Sequence, residues 1–493
     1  MRGPVLGAYF ATLAVLTLYA LHRWYLLWLY ARHRNDAPKP LRRFKALPVL
    51  TVQVPLYNEK YVARRVIEAV GALDWPADRL EIQVLDDSTD ETAAIAAEAV
   101  EALRRRGIDA VHLTRPSRAG YKAGALAAGC AAARGEFIAV FDADFVPPPS
   151  CAREMIDAFT DPRVGMVQAR WGHLNRAASF LTRAQALLLD GHFVIEHAAR
   201  HRSGRFFNFN GTAGIWRRAC IEDAGGWRHD TLTEDLDLSY RAQMRGWRFV
   251  FLTDTVVPAE LPVEMGAFKV QQHRWAQGSI QTAVKLLPAL WRSDLPLRVK
   301  LEASCHLTSN VGYVFTVVLA VLVGPAVWLR RDEGWFQIST IDAPLVIVSA
   351  VSIAVFYLAS QREARGRWRD AVLDLPVLMA VGIGLSINNA RAVIGGLLPG
   401  PREFRRTPKL ALDGGDARAM ARRAYRTRRG ADTWVELALG VYFAVLLAGA
   451  AALHLVGALP FLALFAAGYL YMAGTTLRQS QGSASTVSPA STG

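Results

Sequence analysis

The sequence predicts an α/β domain with a parallel sheet, held on a set of membrane-spanning helices. Three observations predict it. Residues 5–29, VLGAYFATLAVLTLYALHRWYLLWL, are almost continuously apolar and exceed the ~20 residues that cross a bilayer. From about 46 to 300, short β-rich runs alternate with helical stretches, the pattern of strands joined by crossover helices. Apolar runs then return at 305–329, 343–360, 371–397, 433–453 and 457–475.

Taken in order, residues 1–31 read as an uncleaved signal-anchor, because no small-residue cleavage site follows the apolar run. The flank after it carries Arg32, Arg34, Lys39, Arg42, Arg43 and Lys45, so it is expected on the cytoplasmic side. His22 and Arg23 inside the run are expected to pack against other helices. The α/β domain, 46–300, runs LPVLTVQVP, YVARRVIEAVGAL, LEIQVLDD, TAAIAAEAVEALRRRG, AVHLTR, a Gly/Ala-rich helix and EFIAVFDAD. Such a sheet binds ligands at the carboxyl ends of its strands. Residues 301–476 form the second helical region. Within it, 371–397 is interrupted by Asp374, Pro376, Gly382 and Gly384, and Asn388, Asn389 and Arg391 make its second half polar. A full crossing there would expose the Arg-rich 399–431 on the outer side, against the positive-inside rule. The stretch is therefore expected to be re-entrant or interfacial, leaving five full spans, a cytoplasmic 399–431 and a cytoplasmic C-terminus. Residues 477–493 are Ser/Gly/Thr-rich and expected to be disordered.

Composition narrows the class. Of 493 residues 52% are apolar and 20% charged, enough to bury a core, and the length suggests two or three structural units. The net charge of +14 points to nucleic acid or a membrane surface. Much of it collects beside apolar runs, so a nucleic-acid role is not expected. Cys130, Cys151, Cys220 and Cys305 show no Cys-x-x-Cys spacing, so neither a disulfide framework nor a Cys-based zinc site is indicated, and this usage fits a reducing compartment.

Chemistry-bearing residues gather at predicted strand ends. Val54-Pro55-Leu56-Tyr57-Asn58-Glu59 closes the first strand, Asp86-Asp87 the second, Asp142-Ala143-Asp144 the fourth, and Thr233-Glu234-Asp235 follows. One carboxylate at a strand end is an ordinary turn residue. Several on one sheet edge repel one another unless a cation or ligand is bound. Asp142 and Asp144, expected on one side of an extended segment, suit a hard divalent cation that shares phosphate oxygens with a substrate. Lys122 lies between the second and third clusters and reads on charge placement alone equally as a site residue or as a solvated helix-end lysine. Asn208–Gly214 reads as a tight turn. Gln271-Gln272-His273-Arg274-Trp275 combines an indole that stacks on sugar rings with a guanidinium that grips phosphate, on a stretch that also reads as an amphipathic interfacial helix. Neither a phosphate-binding Gly-x-x-x-x-Gly-Lys-Ser/Thr loop, nor Gly-x-Gly-x-x-Gly after the first strand, nor His-Glu-x-x-His occurs.

The ordered run VPLYNEK, QVLDDSTDET, GYKAGAL, FDADF, VQARW, FNGTAG, TEDLDL, QQHRW resembles the processive family 2 glycosyltransferases of the cellulose-synthase superfamily. It is most similar to the cellulose-synthase-like A group, which makes β-1,4-mannan and glucomannan backbones from GDP-sugars. The resemblance covers about 48–290 densely and the membrane segments by arrangement. It implies a cytosolic GT-A (Rossmann-like) domain joined to an α-helical transmembrane domain. Pro55, Tyr57, Glu59 and Asp87 would hold the nucleotide base and ribose. Asp142 and Asp144 would bind the donor diphosphate through Mg²⁺ or Mn²⁺, with Asp144 the metal ligand, and Lys122 would touch the diphosphate. Asp235, preceded by Glu234, would be the general base for the acceptor hydroxyl, and Gln271, Arg274 and Trp275 would position diphosphate and acceptor sugar. Phe404, Thr407 and Lys409 match the gating-loop pattern Phe-x-Val-Thr-x-Lys of bacterial cellulose synthase, with Arg406 at the Val position. With only a short stretch after the last apolar run, the cyclic-di-GMP-binding barrel of cellulose synthases is not expected.

The chemistry is consistent with this. One base and no nucleophilic partner imply a single displacement with inversion, so an α-linked donor gives a β-linkage. The donor is expected to be GDP-mannose, with GDP-glucose or UDP-glucose as alternatives, the acceptor the growing polysaccharide, and the surroundings membrane lipid. The Ala- and Arg-rich composition points to a bacterial plasma (inner) membrane. Two other readings compete. A non-processive transferase to polyprenyl phosphate usually lacks the Gln271, Arg274, Trp275 signature, and a transporter or inactive scaffold has no need of Asp142, Asp144 and Asp235 together.

Overall fold

The computed structural model describes residues 2–330, 342–398, 409, 411 and 430–482. Its centre is a seven-stranded sheet in the order β3-β2-β1-β4-β6-β5-β7. The strands are β1 Leu50–Leu56, β2 Leu80–Asp86, β3 Asp109–Thr114, β4 Phe137–Val140, β5 Val164–His173, β6 Gly214–Arg217 and β7 Arg248–Ala259. The LTVQVPL and LEIQVLD runs are buried along nearly their whole length, as expected of strands covered on both faces. One face packs under α2 (Ala63–Val70), α3 (Thr92–Arg105) and α5 (Cys151–Ile156); the other packs under α4 (Tyr121–Ala132), α8 (Arg218–Asp223) and α9 (Glu234–Met244). In α3 the buried residues Ala96, Ala99, Val100 and Leu103 recur at three- and four-residue spacing, so one stripe of an Ala-rich helix meets the sheet.

The sheet is mixed, not parallel throughout. β6 runs antiparallel to both β4 and β5, whereas β1, β2, β3 and β4 are parallel neighbours. The cause is local. Gly211 at φ +81° and Ala213 at φ +56° reverse the chain just before β6, so this strand starts at the carboxyl edge, with Gly214 opposite Val140. That reversal delivers Asn210-Gly211-Thr212 to the edge where β1, β2 and β4 end.

Among the described residues, five helices are long and apolar enough to cross a membrane. They are α1 (Arg2–Arg32), α12 (Val311–Leu329), α13 (Ala343–Arg365), α16 (Ala431–Ala452) and α17 (Leu459–Gly482). The polar residues of α1 are tied down: His22 Nε2 lies 2.9 Å from Glu302 of α11 (Leu297–Thr308), and Arg23 donates to Ser352 Oγ of α13 at 2.9 Å. The run expected from 305 is broken, since α11 ends before α12 begins at Val311. The interrupted stretch is two helices, α14 (Leu375–Gly384) and α15 (Ser386–Leu397), bent by 46° at Leu385. Its polar half is covered by protein: Ser386 Oγ meets Tyr469 Oη at 2.9 Å, and Asn388 donates to the Lys269 carbonyl at 3.0 Å. Irregular backbone at membrane depth requires such cover. The 28-residue α10 (Met265–Arg292) bridges the two parts of the fold, with Gly278 against Thr233 beside the N-terminus of α9 and Ile280 against Gly396 of α15.

Candidate active site

A cavity opens at the carboxyl edge of the sheet. Its wall includes every expected site residue that the structure describes: Pro55, Tyr57, Glu59, Asp87, Lys122, Asp142, Asp144, Glu234, Asp235, Gln271, Arg274, Trp275 and Lys409. Phe404 and Thr407 lie outside the described residues.

The level register of β1 and β2, Leu56 opposite Asp86, sets the first end of the cavity. Asp86 and Asp87 then part. Asp86 is buried away from the cavity, where His112 Nε2 at 2.9 Å and the Ser88 N–H at 2.9 Å approach it. Burial pushes its pKa up, but the His112 and Ser88 hydrogen bonds prevail and hold it below the ordinary carboxylate value. Asp87 faces the cavity and is gripped by Arg115 through Nε at 3.0 Å and a second guanidinium nitrogen at 2.5 Å. The Arg118 guanidinium lies over the Tyr57 ring, 3.4 Å from its centre.

β4 delivers Asp142 and Asp144. They sit on a turn, closed by the Phe145 N–H donating to the Asp142 carbonyl at 3.0 Å, and not on an extended segment as the spacing suggested. The strand ends at Val140, so the alternation of side chains stops before Asp142. The turn gives each carboxylate its own lysine. Lys122 Nζ, in the first turn of α4, is 2.6 Å from Asp142 and 2.9 Å from the Gly211 carbonyl; Lys409 Nζ is 2.5 Å from Asp144 and 3.3 Å from Glu59. Lys122 is therefore a half-buried ion-pair partner, the site reading of its two alternatives. Burial pulls both ammonium groups down, yet the carboxylates around them outweigh it and raise both pKa values.

Asp235 occupies the first turn of α9, its Oδ1 taking the Leu236 N–H at 2.8 Å. Burial and the neighbouring Glu234 push its pKa up to about 7, against the pull of Lys122 and Arg274. A Cβ on Gly211 would stand 2.9 Å from Asp235 Oδ2, so a glycine lets the backbone pass this carboxylate. From α10, Gln271, Arg274 and Trp275 form the wall on the side of the membrane helices, and Trp275 lies 6.5 Å from Trp171 between ring centres.

Two carboxylates on a turn offer oxygen-only ligands, the donor set of a hard cation that keeps some waters. Among the described residues no group of three or more His, Cys, Asp or Glu converges as a metal site, and a cation held by these two carboxylates would need further ligands from a substrate and water. Sequence reasoning missed Arg118, His173 and Glu260 as wall residues, and apart from the FNGTAG resemblance it read Asn210 and Gly211 only as a turn. The Gly-broken run ending at 214 was the available signal for Asn210 and Gly211; nothing in the sequence around Arg118 announces its stacking.

Residues 48–278 match the family described as Glycosyltransferase like family 2. Residues 48–278 thus form a domain of the family 2 glycosyltransferase type. Glucomannan 4-beta-mannosyltransferase 2 of Arabidopsis thaliana is 44% identical over 252 residues, 50% of this chain and 47% of that protein. Glucomannan 4-beta-mannosyltransferase 1 of Cyamopsis tetragonoloba is 42% identical over 346 residues, 66% of this chain and 64% of that protein. The chain thus spans less than two thirds of the length of either relative. Mannosyltransferase PcManGT from Pyrobaculum calidifontis, solved in complex with GDP-Man and Mn²⁺, superimposes with a TM-score of 0.52 over 78% of this chain and 98% of its own, at 20% identity. That likeness is one of fold: the glycosyltransferase domain has a GT-A-like mixed sheet.

Proposed function

We propose that the protein is a membrane-embedded, inverting, processive glycosyltransferase that builds a β-1,4-linked polysaccharide of mannan or glucomannan type from a nucleotide sugar and passes it across the membrane. The observation that carries this reading is the single cavity in which the lysine-matched Asp142 and Asp144 face Asp235, a carboxylate with pKa about 7. Such a value suits a general base working near neutral pH. Tyr57 and Asp87 bind the nucleotide end, with Pro55 and Glu59 beside them. Asp142 and Asp144 would hold Mg²⁺ or Mn²⁺, which supplies neutralisation of the leaving diphosphate's charge. Lys122 and Lys409 would exchange their carboxylate partners for the diphosphate oxygens, to which both ammonium groups donate. Asp235 takes the proton of the acceptor hydroxyl, with Glu234 beside it keeping its proton affinity high. With one base and a direct displacement, an α-linked donor yields a β-linked product. Gln271, Arg274 and Trp275 hold the acceptor end on the side of the membrane helices, which favours a polymer leaving that way.

The relatives named above are mannosyltransferases, and the similar fold was solved with GDP-Man, so GDP-mannose is the proposed donor and the growing polysaccharide the acceptor. The catalytic domain is assigned to the cytoplasmic side on its basic flank. Lys409 in the cavity supports the same parity: with α12 and α13 as crossings and the bent α14–α15 pair re-entrant, the chain would be back on the side of the catalytic domain by residue 409, where Lys409 meets Asp144. The Ala- and Arg-rich composition is the ground for a bacterial plasma membrane; the relatives named are plant proteins. The function is tested by giving purified protein labelled GDP-mannose or UDP-glucose and digesting the product with linkage-specific hydrolases. High-mass product cut by a β-1,4-mannanase is expected; label transferred only to polyprenyl phosphate would refute the processive reading.

A further inference from the structure

A line of hydrogen bonds runs from the first membrane helix to the cavity wall, and its direction can be read atom by atom. His22 of α1 meets Glu302 Oε2 of α11 at 2.9 Å, and Glu302 Oε1 receives Arg200 Nε at 2.9 Å. Arg200 belongs to α7 (Ala198–Arg202) and also reaches Glu196 Oε2 at 3.1 Å. Glu196 and His192 lie on the π-helical turn Gly191–His197, and such turns recur at functional sites. His192 Nδ1 is 3.2 Å from Glu196 Oε2, and its Nε2 is 3.0 Å from Asn210 Nδ2. Asn210 Oδ1 is 2.8 Å from His197 Nε2.

The polarity follows from one group that can only accept. His197 Nε2 also lies 3.0 Å from the Asn208 carbonyl, so this nitrogen carries the proton and the Asn210 atom facing it is the amide oxygen. Asn210 therefore turns its NH₂ to His192, whose Nε2 must accept, which puts the His192 proton on Nδ1, pointing at Glu196. Both ends reinforce this order. Burial, with His192 and Arg200 near it, holds His197 neutral, and Arg200 and His192 overcome burial to hold Glu196 ionised. One amide hydrogen of Asn210 is spent on His192. The other has no partner among the described residues, and Asn210 is a partly exposed part of the cavity wall. The next residue, Gly211, packs against Asp235 Oδ2.

We propose that Asn210 donates this free amide hydrogen to a hydroxyl oxygen of the acceptor sugar beside Asp235, and that His192 and Glu196 are positioning residues that fix which way the amide faces. The proposal rests on the glycan-acceptor reading above. A donor next to the base orients a hydroxyl so that its own hydrogen is left for the carboxylate. If the amide flipped, an oxygen would stand at that place and compete with the hydroxyl for the same role. The buried Arg200 between Glu196 and Glu302 then has a task beyond stability, because it keeps the accepting end of the line charged.

The test is sugar binding to the purified full-length protein, read by the fluorescence of Trp171 and Trp275 in the cavity wall during titration with mannohexaose or cellohexaose; it does not depend on turnover. Asn210→Asp keeps the shape and an oxygen but loses the N–H. It is expected to weaken binding of whichever hexasaccharide the wild type takes by about ten-fold, the size of one lost hydrogen bond, while GDP-mannose affinity moves less than two-fold. His192→Leu should weaken the same binding, and His192→Gln, whose side-chain oxygen can stand where Nε2 accepts, should restore most of it. Equal affinities in the Leu and Gln variants, or a parallel loss of GDP-mannose affinity, would overturn the positioning role. If His192→Leu does not fold, Asn210→Asp decides alone. Tight hexasaccharide binding without nucleotide-sugar turnover would leave this inference standing and remove the transferase reading instead.

Discussion

The two acidic ends of the cavity are built from the same residue type and held in opposite electrostatic states. Asp142 and Asp144 each face a lysine within 2.6 Å, so their charge is matched before any substrate arrives. Asp235 is desolvated and sits beside a second carboxylate, Glu234, and these outweigh the pull of Lys122 and Arg274, so its pKa rises to about 7. The difference teaches that motif letters alone do not assign roles; partners do. A matched carboxylate can exchange its lysine for another cation, whereas one beside a like charge is ready to take a proton.

The sharpest way to break this comparison is at its second end. Asp235→Asn should lower sugar transfer by ~10²–10⁴, the usual cost of losing a general base, with donor affinity kept within about two-fold. Turnover at the wild-type rate would remove Asp235 from the chemistry. Next in size, exhaustive chelation should lower transfer by roughly 10³, since a metal typically supplies several kcal/mol of charge stabilisation, and added Mg²⁺ or Mn²⁺ should restore it. Undiminished activity in chelator would leave the two lysines as the sole cations at that end. Smaller again, Lys409→Ala should weaken donor binding by about ten-fold, the scale of a hydrogen bond to a charged group, as read by nucleotide-sugar titration. An unchanged affinity would show that Lys409 only closes the site.

The smallest effect is on stability, and its sign separates the two ends. Because Asp235 binds its proton more tightly when folded than when unfolded, ionising it costs stability as pH rises from about 4 to about 7. Asp235→Asn removes that cost, so the variant should melt higher than wild type at pH 8, by roughly 2–4 °C per kcal/mol relieved, with the gap closing below pH 4. A variant that melts lower at pH 8 would mean that Asp235 is matched after all.

Much of this was legible in the sequence, for a physical reason. β1, β2 and β4 are apolar runs that stop where carboxylates begin, so strand ends and acidic clusters announce each other, and the register of β1 with β2 brings them level. The interrupted membrane stretch was equally readable, because Pro376 and the buried Asn388 and Asn389 cannot sit in lipid uncovered. The antiparallel β6 was not readable, because two positive-φ residues reverse the chain and a four-residue strand has too short a pattern to show direction. Nor was the turn that gives Asp142 and Asp144 separate lysines, since one of those lysines comes from 265 residues away. The His192–Glu196–Arg200 line hid in HFVIEHAARHR, which reads as an ordinary helix until its π turn and Asn210 are seen together.

The most direct test is the pH dependence of kcat/KM for sugar transfer, which reports ionisations of the free enzyme. A base with pKa about 7 is protonated and inactive below that value, so the wild-type rate should rise ten-fold per pH unit at low pH and level off above about 7. The residual rate of Asp235→Asn should lack that limb. A wild-type limb with its midpoint near 4, or one that survives unchanged in Asp235→Asn, would contradict the assignment of Asp235 as the base.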